Sequence, residues 1–270
     1  MDFRSKKYIV LDLDGTLYAG KTLFSFTGDF LKTVRGTGRK PIFLTNNSSR
    51  SKKAYFEKLG NLGIAENQEE IYTSGTATVE YLAAKGIKEI YLMASPSMTD
   101  EFLEAGFTLV NDSPKAVVLT FDTTFTYEKF CIAHDLIIAG VPFYATNPDN
   151  HVPLENGIMH PDIGTFISAF RTSTGKEPLI VGKPEKHIYE QLRTHLGCEK
   201  EEMVMVGDRL NTDILGANNY GMDSILVLSG ETTRKMHEQA LKEAGGKAGA
   251  GQSATIVVEN VGELVSLLHT

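Results

Sequence analysis

Two aspartates one residue apart, near the start of the chain, could act together in catalysis or metal binding. The apolar run from Tyr8 to Leu11 predicts a buried strand, and Asp12 and Asp14 follow it directly. Side chains along a strand alternate between its faces, so both carboxylates are expected on the same side. Two carboxylates at the end of a buried strand are costly unless a cation neutralises them. A hard divalent ion such as Mg²⁺ suits oxygen ligands of this kind.

Three structural explanations compete with that interpretation. Asp14 and Gly15 could form only a turn, Asp12 could cap a helix, or the run could open a calcium-binding loop. The calcium-loop explanation is excluded, because an EF-hand has glycine at its sixth position and glutamate at its twelfth, where this chain has Leu17 and Leu23. The other two explanations stay open for this motif alone, so the rest of the chain has to decide between structure and chemistry.

Length and composition indicate an ordinary soluble globular protein. The chain has 270 residues, enough for one large domain or two modest ones. The net charge of -7 does not favour a nucleic-acid partner, and it means that any phosphate site must be built locally. Cys131 and Cys198 lack a metal-binding spacing and predict reduced thiols in a cytoplasmic protein. Neither a signal peptide nor a membrane span is expected, because Asp12 and Asp14 interrupt the apolar run near the N-terminus.

Strand-like and helix-like patterns alternate along the chain. Strands are predicted at 41–44, 90–93, 116–121, 142–145, 179–183, 203–207, 224–228 and 255–258, and helices include 23–34, 127–139 and 163–172. This alternation predicts an α/β fold with parallel strands and right-handed crossovers. In an open sheet of this type, ligands bind at the carboxyl ends of the strands.

Polar residues suited to phosphate chemistry stand where four of the predicted strands end, and we expect these four ends at the same edge of one sheet. The set is Asp12 with Asp14, Thr45, Lys183, and Asp208 with the later Asp213. Each member alone could be a helix cap, a turn residue or a solvated lysine. Together they supply a carboxylate nucleophile, a second carboxyl group for proton transfer, a metal site, and a hydroxyl and an ammonium group for the transferring oxygens. The set therefore predicts phosphoryl transfer.

The order and the residues of these motifs resemble those of the haloacid dehalogenase superfamily of phosphatases. The motifs are Asp12-Leu13-Asp14-Gly15-Thr16, Leu44-Thr45-Asn46-Asn47-Ser48, Val181-Gly182-Lys183-Pro184, and Gly207-Asp208-Arg209 with Asp213. Their sequences are similar to the motifs of the subfamily that contains NagD and the 4-nitrophenyl phosphatases. The resemblance covers essentially the whole chain and implies a Rossmann-like parallel-sheet core with an inserted α/β cap domain of the C2 type. The long interval between Thr45 and Lys183 has room for that insertion, so we predict the core at 1–75 and 179–270 and the cap at 76–178.

The resemblance implies roles for the four aspartates. Asp12 would form an aspartyl-phosphate intermediate, and Asp14 would protonate the leaving oxygen and then deprotonate water. Asp12, the backbone carbonyl of Asp14, and Asp208 would hold Mg²⁺. Asp213 would support the metal site directly or through a metal-bound water.

The resemblance also implies which residues bind the substrate. Thr45, the backbone amides of Asn46 and Asn47, and Lys183 would hold phosphate. A segment of the predicted cap, residues 146–151, is dense in turn-forming and hydrogen-bonding residues, and a surface connection is an equally good interpretation of it.

In related phosphatases the equivalent cap region selects the leaving group. The resemblance therefore makes Asn147, Asp149 and His151 candidate substrate-binding residues.

The expected reaction is Mg²⁺-dependent hydrolysis of a small phosphorylated metabolite, such as a sugar phosphate or a nucleotide monophosphate, with 4-nitrophenyl phosphate as a substrate in vitro. Asp14 favours ester hydrolysis, because dehalogenases of this superfamily lack the second aspartate. Two alternatives stay open, a metabolite-binding or regulatory protein on the same fold and a phosphotransferase or mutase. The expected partner is the metabolite, without nucleic acid or membrane, and a homodimer is left open.

One further motif is weak. Residues 249–254 fit a loose form of the dinucleotide-binding fingerprint, but they follow a predicted helix and precede a strand, which is the wrong order. We interpret this stretch as a glycine-rich surface connection.

Overall fold

The chain folds into two compact units in the computed structural model, which describes residues 2–153, 158–243 and 253–269. The first unit comprises Met1–Thr45, Phe56–Tyr72 and Pro184–Thr270, and the second comprises Asn46–Tyr55 and Thr73–Lys183. Four residues of the weak glycine-rich motif, 249–252, lie outside the described residues.

Strands and helices alternate along the chain, as the sequence predicts. The strands are β1 Tyr8–Leu11, β2 Tyr18–Ala19, β3 Thr22–Leu23, β4 Lys40–Thr45, β5 Ile71–Thr73, β6 Glu89–Met93, β7 Thr108–Leu109, β8 Ala116–Leu119, β9 Phe143–Ala145, β10 His151–Pro153, β11 Met159–Pro161, β12 Leu179–Ile180, β13 Met203–Gly207, β14 Asp223–Val227 and β15 Ile256–Val258. The helices are α1 Thr27–Gly36, α2 Lys52–Asn61, α3 Ser74–Ala84, α4 Pro96–Glu104, α5 Tyr127–Ile138, α6 Ile163–Thr174, α7 Lys186–Leu196, α8 Leu215–Tyr220, α9 Arg234–Glu243 and α10 Val265–Leu268.

The first unit is built on a six-stranded sheet in the order β15-β14-β13-β1-β4-β5. Strand β1 runs parallel to β13 on one side and to β4 on the other, and Leu11 aligns with Val206 and Phe43. These three side chains are fully buried, as expected for strands covered on both faces. Because neighbouring parallel strands end at the same edge of a sheet, the residues that follow β1, β13 and β4 emerge together.

The second unit has its own five-stranded parallel sheet, in the order β12-β9-β8-β6-β7. Helices α5 and α6 pack on it, and the rings of Phe130 and Phe170 stack with their centroids 4.3 Å apart. A short antiparallel pair, β10 with β11, follows β9 along the chain. The predicted α/β class with parallel sheets is confirmed.

Two predicted elements differ from the structure. The strand predicted at 179–183 does not belong to the sheet that contains β1, so that prediction is wrong: this strand, β12, pairs with β9 of the second unit. The pairing continues beyond β12 through the N–H groups of Val181 and Gly182, which donate to the carbonyls of Ala145 and Thr146 at 3.0 and 2.8 Å. The helix predicted at 23–34 begins only at Thr27, because residues 18–23 form the β2–β3 hairpin.

Unit boundaries and predicted domain boundaries are not the same. The second unit includes residues 46–55 and strand β12, which the predicted division assigns to the core. The division into a core at 1–75 and 179–270 and a cap at 76–178 stays a prediction about the functional domains.

Both cysteines are free. Within the described ranges, no helix has the length and apolar character needed to cross a membrane.

Candidate active site

Three neighbouring strands of the first unit end in polar residues at one edge of the sheet. Asp12 follows β1, and its N–H donates to the carbonyl of Val206 at 2.9 Å, which extends the pairing with β13 by one residue. Asp208 follows directly after Gly207, the last residue of β13. Thr45 is the last residue of β4 and is buried. The structure therefore brings together three of the strand ends that the sequence singles out.

Asp12, Asp208 and Asp213 form an acidic cluster in which one carboxylate oxygen from each residue lies within 4.8 Å of the other two. Asp208 and Asp213 are buried, and Asp12 is half-buried. Burial, and then the neighbouring charges of Asp12 and Asp213, raise the pKa of Asp208 well above its usual range. Carboxylates held this closely repel one another unless a cation neutralises them. An all-oxygen donor set of this charge fits a hard divalent metal ion.

Main-chain donors hold the acidic cluster in place. The N–H of Glu231 donates to Asp208 Oδ2 at 2.6 Å, and the N–H of Arg209 donates to Asp213 Oδ2 at 3.1 Å. The side chains of Arg209 and Glu231 form an ion pair at 2.9 Å, which links the two supporting loops. A π-helical turn at Leu210–Ile214 carries Asp213 back towards β13. Sequence reasoning missed Glu231, because a main-chain N–H carries no residue-type signal.

Glycines leave the space that the carboxylates occupy. A Cβ atom at Gly15 or at Gly230 would overlap Asp208 Oδ2, and a Cβ at Gly207 would overlap the carboxyl group of Asp213. Gly15 also has a φ of 85°, a backbone conformation that side chains disfavour. Gly230 is a second position that sequence reasoning missed. Its signal in the sequence is the Ser-Gly pair just beyond β14.

Asp14 lies in the loop between β1 and the β2–β3 hairpin. Its Oδ1 accepts a hydrogen bond from the N–H of Gly20 at 3.1 Å. The residue keeps exposed surface, but the surrounding protein removes enough water from the carboxyl group to raise its pKa. The Gly20 hydrogen bond, Lys58 and Arg209 oppose this rise. A carboxyl group with a raised pKa holds its proton nearer to neutral pH, which suits a general acid.

The remaining predicted phosphate-binding residues belong to the second unit. Asn46 and Lys183 are buried, and only 2% of the Lys183 surface is exposed. Asn47 is half-buried, and its Oδ1 accepts a hydrogen bond from the N–H of Ser49 at 3.0 Å.

The three predicted substrate-binding residues of the second unit differ in exposure. Asn147 has no exposed surface, and its amide is bonded within the unit: Nδ2 donates to the Asn46 carbonyl at 2.6 Å, and Oδ1 accepts from the Asp149 N–H at 2.9 Å. Asp149 is half-buried, and His151 is exposed on β10.

Known proteins similar to this chain carry phosphatase names. A family model described as haloacid dehalogenase-like hydrolase matches residues 9–108, and a second model, described as HAD-hydrolase-like, matches residues 180–264. A 5'-nucleotidase, YutF of Bacillus subtilis, is 35% identical over 233 residues, which cover 86% of this chain and 91% of that protein. An acid sugar phosphatase of Staphylococcus aureus is 35% identical over 229 residues, covering 84% of this chain and 88% of that protein.

The solved structures point in the same direction. The crystal structure of a 4-nitrophenylphosphatase from Thermotoga maritima superposes on this chain with a TM-score of 0.89 at 35% identity. The match covers 98% of each chain. The likeness therefore extends over both compact units.

Proposed function

Because the chain belongs to the haloacid dehalogenase-like hydrolase family, we propose that it is a Mg²⁺-dependent phosphatase that hydrolyses monoesters of small phosphorylated metabolites. The observation that carries this proposal is the acidic cluster of Asp12, Asp208 and Asp213 at one edge of the sheet, with Asp14 two residues beyond Asp12. A nucleophile, a proton donor and a metal site are the parts that this reaction requires. All four aspartates belong to the first unit.

In this proposal, Asp12 forms the covalent intermediate and Asp14 transfers the protons. The Asp12 carboxylate attacks phosphorus and forms an aspartyl phosphate, while the departing ester oxygen takes a proton from Asp14. Asp14 then removes a proton from the water that attacks the aspartyl phosphate, which releases inorganic phosphate and restores Asp12. The raised pKa of Asp14 supports the first of its two roles, because the group must enter the cycle protonated.

Asp12, Asp208 and the backbone carbonyl of Asp14 would hold the metal ion, with Asp213 as a direct ligand or a partner of a bound water. A bound Mg²⁺ would supply positive charge that stabilises the phosphate oxygens and neutralises the clustered carboxylates.

Phosphate itself would be bound by Thr45, by the backbone amides of Asn46 and Asn47, and by the ammonium group of Lys183. The core and cap division predicted from the sequence is part of the same proposal.

The names of the relatives support the choice of substrate class. They include a nucleotidase, a sugar phosphatase and a nitrophenylphosphatase, so we expect this chain to act on nucleotide or sugar monophosphates. The test is release of inorganic phosphate from a panel of such esters and from 4-nitrophenyl phosphate, with Mg²⁺, with EDTA, and with Mg²⁺ restored. We expect EDTA to abolish the release and Mg²⁺ to restore it.

Two outcomes of this panel would contradict the proposal. No phosphate release from any ester, with tight binding of one of them, would favour a binding or regulatory protein on the same fold. Transfer of phosphate between positions of a substrate, without release to water, would favour a mutase.

His151 is the proposed contact to the leaving group, because it is exposed whereas Asn147 is fully buried. We expect His151→Ala to lower kcat/KM for the best metabolite by about 5- to 100-fold, the effect of one or two lost hydrogen bonds, and to spare 4-nitrophenyl phosphate. His160→Ala is the matched control, since His160 is exposed on the neighbouring strand β11. Equal losses for both substrates, or the same effect in the control, would refute a selective contact.

A further inference from the structure

The side chain of Asn46 contacts the main chain of Lys183 at two points. Its Oδ1 accepts a hydrogen bond from the Lys183 N–H, and its Nδ2 donates one to the Lys183 carbonyl, both at 2.9 Å. A main-chain N–H only donates and a carbonyl only accepts, so these bonds fix the direction in which the Asn46 amide faces. A carboxylate at position 46 could make the first bond but not the second.

Asp149 completes the hydrogen bonding of the same amide. The Nδ2 group of Asn46 donates to Asp149 Oδ2 at 3.0 Å, and a charged acceptor strengthens such a bond. Asn46 is buried, so a substitution that removes its amide nitrogen leaves the Lys183 carbonyl without this partner and with little access to water.

The main chain of Asn46 is held from the other side. Its carbonyl accepts hydrogen bonds from Asn147 Nδ2 at 2.6 Å and from Ser74 Oγ at 2.5 Å. Gly182 allows the close approach: a Cβ there would overlap the Thr146 carbonyl and lie 2.8 Å from Asn46 Oδ1. Every residue in this network belongs to the second unit, so the network is a property of that unit alone.

We infer that Asn46, supported by Asp149 and Asn147, is a positioning residue that fixes the main chain at Lys183 for phosphate binding. The inference rests on the proposed function, which assigns the Lys183 ammonium group to phosphate. A lysine side chain is long and loses much rotamer freedom when it binds. Fixing its main chain on both the N–H and the carbonyl side leaves that side-chain cost in place, but no main-chain freedom then has to be lost when the ligand arrives. Asp149 then acts through Asn46 rather than on the leaving group.

The first test is Asn46→Asp, which keeps the shape of the side chain and removes both donated hydrogen bonds. With inorganic phosphate and Mg²⁺ as the probe, we expect the dissociation constant measured by calorimetry to rise by about tenfold or more. The inhibition constant of phosphate against 4-nitrophenyl phosphate should rise equally. Asn218→Asp is the control, because Asn218 Nδ2 also donates to a main-chain carbonyl, that of Ser253 at 2.9 Å, and takes no part in the proposed site. The control should bind phosphate as the wild type does.

A double-mutant cycle separates positioning from general structural support. If Asn46 acts through Lys183, then Asn46→Ala, which adds no negative charge near the phosphate, should add little to the loss already caused by Lys183→Met. An equal loss in the wild-type and Lys183→Met backgrounds would overturn the inference. Should the Asn46→Ala protein fail to fold, Asn46→Ser also adds no charge beside Asp149 and can be taken through the same cycle, with the same criterion.

Failure of this inference can be told apart from failure of the proposed function. A wild-type protein that releases no phosphate from any ester contradicts the function. Additive losses in a wild-type protein that is an active phosphatase contradict only the role of Asn46.

Discussion

Asp12→Asn is expected to abolish phosphatase turnover while the protein still folds. The substitution keeps the volume of the side chain but removes the nucleophile, and loss of a covalent nucleophile costs roughly 10⁴- to 10⁶-fold in rate. The measurement is phosphate release under single-turnover and steady-state conditions, together with thermal unfolding. Because the charge of Asp12 disfavours ionisation of Asp208 in this cluster, removing it relieves repulsion, and the metal-free variant should unfold at an unchanged or higher temperature than the metal-free wild type.

Asp112→Asn is the control for the Asp12 variant, since Asp112 is exposed and lies in the second unit. It should keep full activity. Intact mass should be checked before each assay, because asparagine can deamidate back to aspartate. If undeamidated Asp12→Asn retains more than a few per cent of wild-type turnover, another group is the nucleophile.

Asp14→Asn is expected to lower the rate strongly, and more for poor leaving groups than for good ones. General acid catalysis contributes about 10²- to 10⁴-fold, and an alkoxide leaving group needs it more than nitrophenolate does. The comparison is kcat/KM for an alkyl phosphate and for 4-nitrophenyl phosphate in the wild type and the variant. The variant should lose about 10²-fold or more on the alkyl ester and distinctly less on the aryl ester.

Burst kinetics provide the check on Asp14. If the variant loses its role as a base, aspartyl phosphate should accumulate after one turnover on 4-nitrophenyl phosphate, and nitrophenolate should appear in a burst. Equal losses for both esters without such a burst would remove Asp14 from the acid and base roles.

The sequence alone was sufficient for the arrangement around β1. Alternation of strand and helix patterns predicts parallel strands, and the carboxyl ends of adjacent parallel strands meet at one edge of a sheet. Asp12, Thr45 and Asp208 can therefore be placed together from the sequence alone, because their position depends on short-range patterns and a general rule of topology. The motif resemblance to haloacid dehalogenase phosphatases rests on the same residues.

Tertiary structure decided which sheet the strand before Lys183 joins. The apolar run at 179–181 indicates a strand, but the pattern contains nothing about its partner, and the partner is β9 of the second unit. The inward position of Asn147 also could not be read from the sequence. The residue types of a turn-forming loop are the same whether the side-chain amides face solvent or form hydrogen bonds inside the protein.

The hydrogen bonds that hold the candidate site in place also could not be predicted from the sequence. Asn46 bonds to Lys183, 137 positions away, and Asp208 takes its closest hydrogen bond from the main chain of Glu231, 23 positions away. Every residue except proline offers a main-chain N–H, so a donor of this kind leaves no trace in residue type. The sequence therefore identified which side chains could carry the chemistry, because their types are rare in such positions. The fold determined what holds them, because those contacts join main-chain groups and distant segments that only packing brings together.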